Sequence, residues 1–142
     1  MLIIVQGLDW ANFLLKVREK PENMVTLNVA NRLVYSSNIQ QYMTTMFHYD
    51  NYNNTKQAFD DFFGFVTNPA APYATPHFVG EFSTGPSGWD PMDKYWIYLG
   101  RYINERSLNW AFWSWMPEPA AQPGSMIYNQ GSNSSGIVDA TL

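Results

Sequence analysis

The chain has 142 residues, 46% of them hydrophobic and 14% charged, which suits one domain with ample material for a core and argues against disorder. A net charge of −4 without a basic run argues against a nucleic-acid partner, and no apolar run nears the roughly 20 residues of a membrane span. The absence of Cys removes disulfide and thiolate chemistry, and the two His, His48 and His77, lack the spacing of a zinc site.

Leu2-Ile-Ile-Val-Gln-Gly7 reads as a buried strand ended by Gly7, with Asp9, Trp10 and Asn12 just past its C-terminal end. This opening does not read as a signal peptide: it has no basic n-region, and Gln6, Asp9 and Asn12 interrupt it early. Phe13 to Val17 predicts a helical turn or two before Pro21. Asn31-Arg-Leu-Val-Tyr-Ser36 is the second predicted strand, followed by a polar loop from Ser37 to Tyr42. A Tyr- and Asn-rich connection over 43–54 leads to a helix from about Thr55 to Val66, capped by Asn54 or Thr55. Its apolar face is Phe59, Phe62, Phe63 and Val66, at i, i+3, i+4 and i+7.

Asp90-Pro91 opens the next predicted helix, whose core face is Tyr95, Leu99, Tyr102 and Ile103. Leu108 to Trp115 is the fourth predicted strand, and the Pro-, Gly- and Ser-rich tail from Glu118 reads as loop. Strands alternating with helices imply an α/β fold with a parallel sheet, which spans residues 1–142 as one unit. Asn53-Asn-Thr55 and Asn133-Ser-Ser135 match the glycosylation sequon, a short motif that also arises by chance.

The third predicted strand, His77-Phe-Val-Gly-Glu-Phe82, ends in a single carboxylate, Glu81. Ionised carboxylates are rarely buried without a partner or a task, and α/β folds place their chemistry at the C-terminal ends of parallel strands. Glu81 is therefore a candidate catalytic residue; the alternative is a strand-end Glu that caps a loop or makes an ion pair. Aromatics form 17% of the chain, enough to furnish a sugar-binding surface as well as a core.

Four motifs together resemble one family. Pro76-His-Phe-Val-Gly-Glu-Phe-Ser-Thr84 resembles the nucleophile strand of glycoside hydrolase family 5, which includes many cellulases. Leu2-Ile-Ile-Val-Gln-Gly7, Asn31-Arg-Leu-Val-Tyr-Ser36 and Asn109-Trp-Ala-Phe-Trp-Ser-Trp115 are similar to its fifth, sixth and eighth barrel strands. The resemblance implies the C-terminal half of a TIM (β/α)₈ barrel, strands five to eight. It implies a retaining β-1,4-glucanase with Glu81 as nucleophile. Trp113 would stack on the sugar, with Trp115 the alternative for that role and Trp10 an extension of the platform. No cofactor is implied. The implied partner is a polysaccharide or oligosaccharide, a β-glucan first, and the implied location is extracellular.

Two departures from the family pattern stand out. The family's acid/base Glu follows an Asn on a strand before all of those found here, and the Asn104-Glu105 pair falls at a helix end. The family's His-x-Tyr on the sixth strand is matched by Asn38 and Gln40. These departures keep open a non-catalytic carbohydrate-binding relative and an inactive gene fragment. A half-barrel would also expose two sheet edges, so a homodimer or a complementing N-terminal half is expected to cover them.

Overall fold

Ile3–Gln6 (β1), Leu33–Ile39 (β2), His77–Phe82 (β3) and Asn109–Phe112 (β4) are all strands in the computed structural model, which describes residues 1–39, 50–82 and 94–112. They pair side by side in chain order, as the barrel resemblance implies, and each is parallel to the next, as the alternation of strands and helices predicts. The connections carry Leu8–Ala11 (α1), Leu15–Glu19 (α2), Tyr52–Phe62 (α3) and Lys94–Glu105 (α4).

The sheet has two unlike faces. Tyr35, Ile39, Val79 and Phe82 point to one of them and are buried with Phe59, Phe63 and Val66, and with Tyr95, Leu99 and Tyr102 of α4. The predicted apolar faces of both long helices are therefore the faces that pack. Period-2 geometry sends Ile4, Gln6, Val34, Ser36 and Asn38 to the other face, where Ile4 remains 53% exposed. Tyr95 fixes α4 to the sheet by donating its hydroxyl to the Ile39 carbonyl at 2.6 Å.

Several boundaries differ from the expectation. α3 starts at Tyr52 because Asn51, not Asn54 or Thr55, is the N-cap: its side chain accepts from the Asn54 N–H at 3.0 Å. Tyr52 lies in the first turn, packed edge-on against Tyr98 and under the Arg101 guanidinium, so an apparently polar connection is helix. The helix stops at Phe62 and a 3₁₀ turn, Gly64–Thr67, carries Val66 into the core. α2 begins at Leu15 rather than Phe13. β2 begins at Leu33 and runs on to Ile39, so Asn38 lies in a strand and not in a loop. The start of α4 at Asp90-Pro91 falls outside the described residues.

His77 is 4% exposed on the helix side of β3, 2.6 Å from the Ser37 hydroxyl through Nε2 and stacked on Phe63. Burial holds its imidazole down to about 4. The unfolded chain takes up this proton near 6.5 and the folded chain only near 4, so stability falls as pH drops through that window. The expected loss between pH 7 and pH 4 is on the order of 3 kcal/mol. Urea midpoints measured across the window should flatten in His77→Gln, which keeps a polar group for Ser37 but cannot titrate.

Candidate active site

Strict alternation along β3 would send His77, Val79 and Glu81 to the same face, under α3 and α4. An ionised carboxylate there would lose its hydration with no compensating charge. One surplus residue avoids this. Ser37 pairs with Val79 but Asn38 pairs with Glu81, and on the other side Val79 pairs with Trp110 while Phe82 pairs with Phe112. Gly80 is the residue left over. Past this bulge the parity of β3 reverses, so Glu81 stands beside Asn38 on the open face and Phe82, 4% exposed, enters the core.

Only glycine fits at the bulge. A Cβ on Gly80 would lie 2.3 Å from Ser36 Oγ and 3.2 Å from Asn38 Oδ1. Gly80→Ala is expected to destabilise the chain by about 1–3 kcal/mol, the usual range for overpacking. Ser36 Oγ has no hydrogen-bond partner among the described residues, so Ser36→Ala alone should cost little. In the double variant Ser36→Ala/Gly80→Ala most of the loss should return, and a thermal-unfolding double-mutant cycle reads that coupling.

Asn38 lies between two acceptors. Its Nδ2 donates to the Trp10 carbonyl at 3.2 Å and stands 3.5 Å from Glu81 Oε2. Carbonyl and carboxylate oxygens can only accept, so these neighbours fix which end of the amide faces them. Trp10 itself sits in α1, a single turn that is helical in hydrogen bonding but not in backbone conformation. Asp9, Trp10 and Ala11 have φ of 52°, 56° and 66°, in the left-handed region. Each such residue costs on the order of 1–3 kcal/mol unless its surroundings hold it. Leu8 and Phe13 close the base of the turn with N–H···O bonds of 3.0 and 3.3 Å in the two directions. The indole of Trp10 projects from its tip, 85% exposed.

The structure thus brings Glu81, Asn38 and Trp10 together at the C-terminal ends of adjacent strands. Trp113 and Trp115 lie outside the described residues. Glu105 lies at a helix end, as the sequence predicts. It ends α4 and accepts from Lys56 at 2.9 Å, Tyr52 at 2.7 Å and Arg101 at 2.7 Å. These donors, Lys56 foremost, hold its carboxyl down to about 2, and burial together with Glu105 pushes the Tyr52 phenol up to about 12. A carboxylate so engaged is a tie between α3 and α4, not a proton donor at neutral pH. A cleft of about 360 Å³ walled by Phe82, Trp96, Trp110 and Phe112 lies on the helix side, away from Glu81. Among the described residues no cluster could hold a metal ion and no helix is long and apolar enough to cross a membrane.

The surplus residue and the turn were not read from the sequence. A glycine inside an apolar strand is the signal that could have found the first. No residue type marks the second, because Asp, Trp and Ala all prefer other backbone regions.

A sequence profile described as cellulase (glycosyl hydrolase family 5) matches residues 1–119. The chain belongs to glycosyl hydrolase family 5. Solved family-5-like folds agree. An endocellulase from Pyrococcus horikoshii, in complex with cellotetraose, superposes with a TM-score of 0.65 at 23% identity over 89% of this chain and 38% of its own. A β-glucanase from Saccharophagus degradans, also with cellotetraose, gives 0.64 at 15% identity over 89% of this chain and 35% of its own. The catalytic domain of the major endoglucanase from Xanthomonas campestris pv. campestris gives 0.64 at 21% over 94% and 41%. At these identities the likeness is one of fold, and the chain spans about two fifths of the family barrels it matches. The four parallel strands are therefore part of a TIM barrel. A comparison with curated proteins returns no match.

Proposed function

We propose that this chain carries the nucleophile side of a retaining β-1,4-glucanase site, with Glu81 as the nucleophile. The observation that carries this reading is the reversed parity of β3, which turns Glu81 to the open face at the C-terminal end of a parallel strand. Family membership and the cellotetraose held by two of the structural relatives support a β-glucan as substrate. An extracellular location belongs to the same reading.

In the proposed step a Glu81 oxygen attacks the anomeric carbon, the bond to the leaving oxygen breaks, and a glycosyl ester forms. Water then cleaves the ester. Retaining hydrolysis wants a second carboxyl about 5 to 5.5 Å away to protonate the leaving oxygen and activate that water. Glu105 is committed elsewhere, and Asp9, next to Trp10 on the exposed turn, is the acid nearest in sequence to this rim. We assign the acid/base role to the part of the family barrel that this chain does not span.

The test is the intact mass of the chain after incubation with a dinitrophenyl 2-fluoro-cellobioside. This leaving group departs without protonation, and the fluorine slows breakdown of the ester. One fluoro-cellobiosyl adduct on the Glu81 peptide, absent in Glu81→Gln, is expected. No adduct on a chain that circular dichroism finds folded overturns the reading. A second reading, sugar binding without turnover, draws on Asn38 standing where the family carries His. It predicts a change in Trp fluorescence with cello-oligosaccharides and no adduct.

A further inference from the structure

Nucleophilic attack by itself asks nothing of the left-handed turn, of the indole at its tip, or of the amide that ties both to Glu81. We propose that Asn38 is a positioning residue whose Nδ2 holds the Trp10 carbonyl and the Glu81 carboxylate together, so that the exposed indole and the nucleophile form one rigid unit for a glucan chain. The proposal rests on Glu81 being the nucleophile, and extends it from one residue to the device that aims it.

The anchor is rigid where the arm is not. Asn38 is flanked by Ser37 and Ile39, both fully buried. Ser37 is bonded to His77, and the Ile39 carbonyl accepts from Tyr95. The α1 turn has the opposite character. Ala11 at its foot is buried, but Leu8 is 60% and Trp10 85% exposed, and three consecutive residues sit in a backbone region they disfavour. Such a turn persists only if its surroundings hold it: the Leu8–Phe13 bonds close its base, and Asn38 supplies the bond to the carbonyl at its centre. The second hydrogen on the same nitrogen faces Glu81. An indole held this way offers a flat apolar face to the C–H face of a pyranose. Its distance from the reacting carboxylate is then set by one side chain on a strand rather than by a loop.

Two variants separate this from mere filling of space. Asn38→Ala removes the donor. Asn38→Asp keeps the shape but sets an acceptor against two acceptors, so a purely steric role predicts that Asp is silent. The first readout needs no chemistry: hydrogen exchange of the peptide over residues 7–14. Both variants should speed it by about fivefold or more, the worth of one hydrogen bond, with exchange across α4 unchanged. The second readout is the rate of labelling by the fluoro-cellobioside, resolved into a half-saturating concentration and a first-order constant. The first-order constant should fall by about 10²-fold in Ala, the scale of a misplaced reacting group, and further in Asp. Unchanged exchange in both variants, or an Asp variant that labels like the original, overturns the proposal. If the original chain takes no label, the nucleophile reading fails separately, and exchange alone decides whether Asn38 pins the turn.

Discussion

Replacing Glu81 by Gln is expected to suppress release of dinitrophenolate from an activated β-cellobioside by on the order of 10⁶-fold, the scale on which a lost covalent nucleophile is felt. The substrate is chosen because its leaving group needs no proton, so the rate reports attack alone. Gln has the volume of Glu and can still face Asn38, but it lacks the charge and lone-pair reactivity that form the ester. The original chain should release one equivalent in a burst and then slow, because ester hydrolysis lacks its general base. A companion variant, Glu81→Ala, opens space where the carboxylate stood. Azide placed there attacks the anomeric carbon as dinitrophenolate leaves, giving a glycosyl azide of inverted configuration. Recovery of release by azide in Ala, but not in Gln, identifies a nucleophile rather than a structural acid. A Gln variant that keeps the burst removes Glu81 from the reaction.

Phe63→Ala should be the most damaging single change in the fold, costing about 3–5 kcal/mol of a stability that rarely exceeds about 15. Phe63 is fully buried where three elements meet. Its ring lies 5.5 Å from Phe59 of α3, 5.3 Å from His77 of β3 and 5.9 Å from Tyr102 of α4. Deleting it leaves a void that rigid neighbours cannot close. The urea midpoint should fall with the slope unchanged, which separates lost packing from a change in the unfolded chain. The same change lets water approach His77, so the acid sensitivity between pH 6.5 and pH 4 should shrink with it. A loss below about 1 kcal/mol would mean that the three elements are not joined through this ring.

The packing faces of both long helices were legible because they follow from periodicity: Phe59 and Phe63, or Tyr95, Leu99 and Tyr102, return to one side of a helix whatever surrounds it. Glu81 was legible through the company it keeps, an apolar strand that ends in one acid. The cap at Asn51 was hidden because Tyr52 and Asn53 look like loop until Tyr98 and Arg101 pack over them. The extension of β2 to Ile39 was hidden for a similar reason. Ser37 and Asn38 are polar, and only their partners on β3, His77 and Glu81, make a strand of them. What escapes a one-dimensional reading is the pairing of distant residues, and the site is made of such pairs.

The surplus residue in β3 makes the direction of the carboxylate a matter of odd and even. Side chains around Glu81 can change while the count between Val79 and Glu81 stays the same, and the acid still meets Asn38. Deleting Gly80 would remove the bulge and leave the direction of the acid unchanged. It would leave Val79, Glu81 and Phe82 in strict alternation opposite Ser37, Asn38 and Ile39, so the acid would still meet Asn38 and Phe82 would still enter the core. Insertion of a single residue beside Gly80 would turn the acid into the layer of Phe63 and Tyr102 and Phe82 out to solvent, and insertion of two would keep the direction but carry the acid about 6.6 Å along the strand. Engineering of this strand therefore has a simple grammar: spelling is negotiable, and length is not, except at the surplus residue itself.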